Sequence, residues 1–435
     1  MQVRSTGLAV SVVLLLATAC TSTTGSALSP SSTASDRTPL VVPTTASPVP
    51  PATRVTVSSP PRGSVLVRGE YPHVASLCRR HRQPVLRARY PGTLTVSRAK
   101  DGTLTVLVTL PFERYLEGIA EVPSSWPSAA LDAQAIAARS YALATTGWTG
   151  EGDTLDSPIC SSTSCQVYRG IPVPAQPGIG RWYAAVRRTA GTLLLYQGRP
   201  ADTVYFSTSN GRTYGNEDVF GSSPLPYLRP VIERDDGASP ESHWRVVLAY
   251  RDLGPILAAA DLWPKGEAVR RVAPIGDSFE VTGDATTRSI GMSDFRSAVN
   301  TWAPCLLPGR YPTDSRYGSP LPFTVPSGWF TPASGTTALT LTGRGWGHGA
   351  GMVQWGAYGK ARRGLSAAQI LGFYYGGLEP QTFPEPGEID VEVASGLTSL
   401  TLLPSSSGAR LNGERLPRGP VTIDGGDHLE VVLTP

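Results

Sequence analysis

The pattern of apolar and polar positions changes at three places along the chain. An apolar run at residues 8–16 is followed by residues 21–63, which show no helical or strand period. From about residue 64, apolar residues recur at strand or helix spacing, and after residue 380 they form short alternating runs without a helix. These changes divide the chain into four parts. They are an N-terminal leader at residues 1–20, a tether at residues 21–63, a main folded domain at residues 64–380 and a small β-module at residues 381–435.

The strongest helix signal runs from Ser128 to Thr145, which is rich in Ala and contains no Gly or Pro. Pro127 suits the first helical position, because its ring fixes φ and its missing N–H is not needed there. The helix is apolar on several faces, so we expect it at the centre of the fold. Gln134 and Arg139 are polar residues on this helix, and each must find a partner or line a cleft.

Alternating apolar residues on both sides of Asp101 and Gly102 predict a β-hairpin with its turn at this pair. The hairpin leads to an apolar turn at residues 119–123, which contains Glu121. Further helices are indicated at residues 250–260 and 292–301, between runs with strand character. The chain is therefore predicted to be α+β, with mixed strands around the central Ala-rich helix and a small C-terminal β-module.

The first 20 residues have the features of an export signal. Arg4 provides a charged start, and the apolar run at residues 8–16 is too short to span a bilayer as a mature helix. Residues 17–20 resemble a bacterial lipobox, with small residues before Cys20, so we expect the signal to be removed and Cys20 to be acylated. The alternative is ordinary secretory cleavage near Ala19 or further on, with no role for Cys20. Both alternatives export the protein.

Residues 21–63 are dominated by Ser, Thr, Pro and Ala. Such a segment buries too little apolar surface to offset its ordering entropy, so it is predicted to be a disordered tether. Across the 435 residues, 17% are charged and the net charge is +4, which gives no reason to expect nucleic-acid binding. A mildly positive protein suits contact with an anionic cell wall.

Two stretches carry unusual runs of residues. Residues 112–143 contain Tyr-Leu-x-Gly, then Glu-x-Pro, Ser-Trp-Pro and Ala-x-Ala-Ala-Arg-Ser-Tyr. Residues 343–377 open with Gly-x-Gly-Trp-Gly-His-Gly-x-Gly-Met-x-Gln-Trp-Gly-Ala. Together these motifs resemble the SpoIID/LytB family of cell-wall proteins, and the resemblance covers roughly residues 101–378.

The resemblance implies a lytic transglycosylase that cleaves peptidoglycan, with the Glu of Glu-x-Pro, here Glu121, as its essential acid. A general acid must be neutral at the working pH, and apolar neighbours raise a carboxyl pKa by desolvation. A hydrolase of the usual kind needs a second carboxylate at a defined spacing. In a transglycosylase, the substrate's N-acetyl group stabilises the cation and its C6 hydroxyl attacks. The acids nearest to Glu121 in sequence are Glu113 and Glu117.

Polar and aromatic residues in the family motifs are expected to bind the glycan. Trp faces stack on sugar rings, Gln suits an acetamide, and Ser and Asn suit sugar hydroxyls, although the Gly-rich stretch also fits a buried strand with a core His. The predicted substrate-binding residues are Arg139, Ser209, Asn210, Arg344, Trp346, His348, Gln354 and Trp355.

A second function stays open, because the LytB branch of the family is described as enhancing a partner N-acetylmuramoyl-L-alanine amidase without catalysis. Family sequences usually have two more residues between the Tyr-Leu-x-Gly turn and the Glu, whereas here Gly118 precedes Glu121 by three positions. A zinc amidase is a poor fit, because the His, Glu and Asp ligand spacing is absent. The expected location is outside the cell, anchored to the membrane and facing the wall.

Five cysteines are present, and four remain if Cys20 carries lipid, an even number that suits an oxidising compartment. A Cys160–Cys165 disulfide closes a short loop, and Cys78 with Cys305 is then the remaining pair. Some members of the resembled family bind zinc here through a His and two Cys. Because this chain has Ser157 upstream and no nearby His, we expect the disulfide, no metal and no cofactor.

Overall fold

The fold is α+β, as predicted. The computed structural model describes residues 54–60, 63–70, 85–152, 155–171, 178–311, 324–405, 407–416 and 419–433. The predicted signal peptide with Cys20, most of the predicted tether, and Cys78 lie outside these residues. Among the described residues, no helix is both long and apolar enough to cross a membrane.

The secondary structure of the described residues is as follows. The helices are α1 (Phe112–Glu117), α2 (Ser128–Thr145), α3 (Gly180–Arg188), α4 (Asn216–Phe220), α5 (Tyr250–Ala259), α6 (Met292–Leu306), α7 (Gln354–Arg362) and α8 (Ala367–Tyr374). The strands are β1 (Arg54–Ser58), β2 (Val65–Glu70), β3 (Val85–Tyr90), β4 (Thr93–Arg98), β5 (Leu104–Pro111), β6 (Ile159–Cys160), β7 (Thr192–Tyr196), β8 (Arg199–Pro200), β9 (Tyr205–Phe206), β10 (Trp244–Ala249), β11 (Val269–Ile275), β12 (Ser278–Gly283), β13 (Thr287–Gly291), β14 (Phe330–Ser334), β15 (Ala338–Gly343), β16 (Met352–Val353), β17 (Pro380–Thr382), β18 (Glu388–Leu397), β19 (Ser399–Pro404), β20 (Arg410–Leu411), β21 (Glu414–Arg415), β22 (Val421–Asp424) and β23 (Glu430–Leu433).

The largest sheet has the strand order β21-β20-β1-β4-β5-β18-β6. The hairpin predicted around Asp101 and Gly102 is confirmed, since β4 and β5 pair antiparallel from Thr93–Thr109 to Arg98–Leu104. Gly102 has φ +83°, a left-handed conformation that Gly adopts without steric cost. Strand β5 alternates buried and partly exposed residues, and it leads directly into α1 and the turn that carries Glu121.

Strand β1 lies within the segment predicted as a tether. It pairs antiparallel with β4 over five residues and buries Val55 and Val57. The short Val-Thr-Val alternation supplies enough apolar surface on one face to order these residues. The prediction of a disordered tether is therefore wrong for residues 54–58, which form an ordered strand.

Strands on both sides of the predicted boundary at residue 380 share two sheets. Strand β18 pairs antiparallel with β5, and the five-stranded sheet has the order β23-β22-β19-β2-β3. The boundary itself stays a prediction, but the paired strands bury their apolar residues in one common core cluster.

Helix α2 occupies the central position predicted for it. Its Ala130, Ala138 and Leu143 belong to the core cluster beneath the two large sheets, whereas Ala133 and Ala137 belong to a second cluster with α7 and α8. Small side chains let neighbouring elements approach the helix closely on several sides, so α2 connects the two clusters.

Residues 244–343 build a third cluster with its own apolar core. The predicted helices at residues 250–260 and 292–301 are present as α5 and α6, and they pack with the sheets β10-β15-β14 and β11-β12-β13. Phe279 and Phe295 are fully buried there with ring centroids 4.7 Å apart.

We predict that a chain ending at residue 380 does not fold cooperatively. This truncation removes the β18 partner of β5 and the β19 partner of β2, which exposes two strand edges and much of the common core. Thermal unfolding followed by circular dichroism measures the effect. Removing only β23, an edge strand whose Val432 and Leu433 are exposed, is the control and should leave a cooperative transition. A cooperative transition in the chain ending at residue 380 would show that the C-terminal residues are an independent module.

Candidate active site

A cleft of about 740 Å³ lies where α2, the loop after β6, the residues around β9 and the Gly-rich stretch meet. Five of the predicted catalytic and substrate-binding residues line it, and they are Glu121, Trp346, His348, Gln354 and Trp355. The other lining residues that matter here are Trp126, Tyr141, Cys165, Val167, Arg169, Asp202, Tyr205, Phe206 and Phe220. The two motif-bearing stretches, more than 200 positions apart in the sequence, therefore form walls of the same cleft.

Glu121 lies in the wall of this cleft with one carboxyl oxygen fixed. The backbone N–H of Val167 donates to Oε1 at 2.8 Å, and the Tyr205 hydroxyl lies 3.5 Å from the same oxygen. Burial of the carboxyl raises the pKa of Glu121 to about 7, although Val167, Arg169, Tyr205 and Gln354 all favour the carboxylate. Glu121 therefore keeps a transferable proton on a large fraction of molecules near neutral pH.

The loop that supplies Val167 is held from several directions. The predicted Cys160–Cys165 disulfide is confirmed, and Cys160 lies in β6 beside β18. The Gln166 side chain accepts from the Tyr115 hydroxyl at 2.6 Å and donates to the Ala138 carbonyl at 3.1 Å. These contacts fix the backbone on both sides of Val167.

The other cysteine and metal predictions are tested only in part. Cys305 is disulfide-bonded, while Cys78, its predicted partner, lies outside the described residues. No group of three or more His, Cys, Asp or Glu side chains placed to hold a metal ion occurs in the described part of the chain.

His348 lines the cleft as a neutral ring. Its Nε2–H donates to the Tyr205 carbonyl at 2.9 Å, and its Nδ1 accepts from the Ala350 N–H at 3.1 Å. The ring lies between Phe206 and Phe220, with centroids 5.3 and 5.2 Å away. The residue keeps contact with solvent, but enclosure of the ring lowers the pKa of His348 to about 4. His348 is therefore a hydrogen-bonded wall of the cleft and not its acid.

The glycines around His348 allow close backbone contacts. At Gly351, which has φ +75°, a Cβ would lie 2.0 Å from the Val204 carbonyl oxygen. This approach allows β16 to pair in parallel with β9, which places the Gly-rich stretch beside Tyr205.

Gln354 and Trp355 begin α7 and line the cleft. Gln354 is buried, and its amide lies 3.4 Å from the Gln134 side chain of α2. Trp355 packs edge-on against Trp126, with ring centroids 4.9 Å apart. Gln134, one of the two polar residues noted on α2, therefore meets a cleft residue.

Arg139, the second of these residues, does not line the cleft. Its side chain is fully buried, forms ion pairs with Glu113 and Glu385, and donates to the Thr189 hydroxyl at 3.0 Å. Because a buried guanidinium needs charged partners, this Arg holds α1, α2 and the C-terminal segment together and is not available to substrate.

Ser209, Asn210 and Arg344 also lie outside the cleft lining. The Ser209 N–H and hydroxyl both bond Asp236 Oδ2, at 2.8 and 2.7 Å, and the Asn210 amide donates to the Tyr214 hydroxyl at 2.7 Å. Arg344 is exposed. The Ser-rich loop thus uses its polar groups for structure: Asn210 holds the local turn, and Ser209 binds Asp236 further along the chain.

Tyr141 and Asp202 are among the cleft residues that the sequence analysis did not predict. Tyr141 projects from α2, and Asp202 belongs to the short segment before β9. The available signal for Asp202 was a single acid within the run at residues 201–206, whose other residues are apolar apart from Thr203.

Comparison with known proteins supports the resemblance. The family model for stage II sporulation protein matches residues 100–196. An uncharacterized protein of Brachyspira hyodysenteriae is 30% identical over 295 residues, which cover 67% of this chain and 72% of the relative. The chain belongs to the SpoIID/LytB family.

Two family relatives from Bacillus subtilis carry different names. The amidase enhancer is 29% identical over 289 residues, covering 59% of this chain and 38% of the relative. Stage II sporulation protein D is 28% identical over 280 residues, covering 62% of this chain and 74% of the relative.

The raised pKa of this family glutamate predicts a pH-dependent stability. Between the ordinary Glu pKa of 4.5 and about 7, the folded protein keeps a proton that the unfolded chain has lost, so the free energy of unfolding falls as pH rises. The whole effect is about 3.5 kcal/mol, at ~1.4 kcal/mol for each pKa unit. Glu121→Gln should remove this dependence. Its free energy of unfolding should therefore rise relative to that of wild type as the pH increases from 4.5 to 7.

Urea unfolding between pH 4 and 8.5 measures this difference. Glu280→Gln, at an exposed position of β12, is the matched control and should show no such trend. A difference between Glu121→Gln and wild type that stays flat across this range would contradict the raised pKa.

The disulfide loop gives a second prediction for the site. In the double variant Cys160→Ser, Cys165→Ser the loop loses its closure, and we expect about 2 kcal/mol of lost stability. The Val167 N–H is then less firmly held against Glu121, so the pKa of Glu121 should rise further. Carbon-13 NMR titration of the Glu121 carboxyl measures this shift. An unchanged pKa in a destabilised variant would mean that the disulfide stabilises the fold without positioning the acid.

Proposed function

We propose that this chain cleaves peptidoglycan glycan strands as a lytic transglycosylase, with Glu121 as the acid and base. The observation that carries the proposal is the Glu121 carboxyl, which lines the cleft, is fixed by the Val167 N–H and has a pKa near 7. A buried carboxylic acid of this kind can protonate a poor leaving oxygen at neutral pH.

In the proposed reaction, Glu121 first donates its proton to the glycosidic oxygen, and the bond from that oxygen to C1 breaks. The substrate's N-acetyl group stabilises the resulting positive charge. The C6 hydroxyl then attacks C1, and Glu121 accepts its proton, so the product carries a 1,6-anhydro ring. His348 takes no part in these transfers, because both its ring nitrogens are hydrogen-bonded to backbone groups.

The walls of the cleft suit an amino sugar. Trp346 and Trp355 offer apolar faces to pyranose rings, and Gln354 offers an amide to hydroxyl or acetamido groups. The exposed ring of Phe220, beside His348, extends the aromatic surface at the same cleft. A volume of about 740 Å³ is within the range of small-molecule sites.

The proposed place of action is the cell wall, outside the membrane. It follows from the sequence features of residues 1–20, with Cys20 as the lipid-bearing residue, and from the family. Residues 21–53 would then give the folded part the reach to meet glycan strands.

The second candidate is a non-catalytic wall-binding protein that stimulates an amidase. It is favoured by the match to the relative named amidase enhancer, although the match covers 38% of that protein. The same cleft would then bind glycan without cleaving it.

Digestion of purified cell wall, with products analysed by mass, separates the two candidates. Wild type should release 1,6-anhydro sugars, and Glu121→Gln should lower the rate by about 10²–10⁴ while keeping glycan binding, because the amide still forms hydrogen bonds. Glu280→Gln, which is exposed and outside the cleft, should match wild type.

Other outcomes decide against the proposal in distinct ways. Release of reducing ends alone would mean a hydrolase with a second catalytic carboxylate. If wild type and Glu121→Gln are equally inert but both bind wall and stimulate an amidase, the non-catalytic function is correct.

A further inference from the structure

Asp202 is a second acidic residue in the cleft that contains Glu121. It lies between β8 and β9 and is partly buried in the cleft wall. Its backbone N–H donates to the Tyr227 hydroxyl at 2.9 Å. Its carboxyl group has no hydrogen bond or ion pair within the described residues.

The backbone around Asp202 is firmly held. The Ala201 N–H donates to the Leu194 carbonyl at 2.9 Å, and the Thr203 hydroxyl donates to the Ala137 carbonyl of α2 at 2.8 Å. The Val204 carbonyl accepts from Met352 at 3.2 Å. A carboxylate fixed in a cleft wall without a cationic partner costs free energy, and such a cost is expected where a ligand completes the site.

The titratable groups that face Asp202 are mostly tyrosines. Its charge acts on Tyr141 of α2, on Tyr227 and on Tyr375 after α8, and the charge of Glu121 acts on the same Tyr141. Both acids therefore act electrostatically on Tyr141, which lines the same cleft. Elsewhere in the cleft are Arg169 and the neutral His348. Burial raises the pKa of Asp202 from its ordinary value.

We propose that Asp202 binds the N–H of the substrate's acetamido group and stabilises the positive charge that this group acquires during glycan cleavage. This inference rests on the proposed function, in which the substrate's acetamido group takes the place of a second catalytic carboxylate. It assigns Asp202 as the residue that binds this group. Tyr141 lines the same cleft and carries a hydroxyl that interacts with Thr145.

The bonds and charges balance in this assignment. The acetamido oxygen bonds to C1 as the glycosidic C1–O bond breaks, and the leaving oxygen takes the Glu121 proton. The fused oxazolinium ring carries one positive charge, and its N–H donates to the Asp202 carboxylate while Glu121 is anionic. The C6 hydroxyl then displaces the acetamido oxygen from C1 and returns a proton to Glu121. No further reactant is required.

Asp202→Asn tests the assignment, because it keeps an acceptor oxygen and removes the charge. We expect kcat for glycan cleavage to fall about 10²–10³-fold, with KM nearly unchanged, as when one preorganised electrostatic partner is removed.

The pH profile gives a second measurement of the same role. In wild type, activity should also fall at acidic pH as Asp202 is protonated. This acidic limb should disappear in Asp202→Asn, while the alkaline limb set by Glu121 remains. Asp277→Asn, at an exposed position in the turn between β11 and β12, is the matched control.

A binding measurement on the full chain separates this inference from the proposed function. The probe is the 1,2-fused thiazoline of N-acetylmuramic acid, which mimics the oxazolinium ring. Calorimetry should show at least ten-fold weaker binding to Asp202→Asn than to wild type or Asp277→Asn. Equal binding to all three proteins, or an Asp202→Asn variant with full kcat and an intact acidic limb, would overturn the role of Asp202 while leaving that of Glu121 standing. If wild type cleaves no glycan but binds the thiazoline more tightly than Asp202→Asn does, the acetamido site stands and the proposed catalysis fails.

Discussion

The hydrogen bond from the Val167 backbone to Glu121 is the contact on which the cleft depends. It fixes one carboxyl oxygen, while burial keeps a proton on the group near neutral pH. The donor is a backbone amide in a loop closed by the Cys160–Cys165 disulfide and tied to α2 through Gln166. A mobile loop cannot hold a backbone N–H in a fixed position. The disulfide, the helix and the sheet beside β6 therefore all contribute to the position of one acid.

Helix α2 joins this loop to the rest of the molecule. Its alanines let two core clusters pack against it, and its few polar groups are divided between structure and cleft. Arg139 forms buried ion pairs with Glu113 and Glu385, so it links the segment before the Glu121 turn with the segment before β18. Removing one member of such a buried set leaves an unpaired charge, which is far more costly than the pair is favourable. A family motif residue can therefore be required for the fold without touching substrate.

Local patterns predicted most of what is local in the fold. The Ala-rich helix, the hairpin at Asp101 and the Cys160–Cys165 disulfide are fixed by neighbouring residues, so the sequence was sufficient for them. The pairing of β18 with β5 joins residues almost 300 positions apart, and alternating strands carry no information about their partner. Motif membership also overestimated the cleft: Ser209 donates to Asp236, 27 positions further along the chain, and only coordinates separate that role from sugar binding.

The electrostatics of the cleft favour a reaction that begins with a single proton transfer. Burial moves Glu121 and His348 in opposite directions, to pKa values of about 7 and about 4. Near neutral pH the His is therefore neutral, and Glu121 exchanges between its two forms. A positive charge formed in such a cleft would be stabilised by a nearby carboxylate, and Asp202 is an acid without a cationic partner among the described residues. Two carboxyl groups in one cleft can divide the work, one transferring the proton and the other stabilising charge on the substrate.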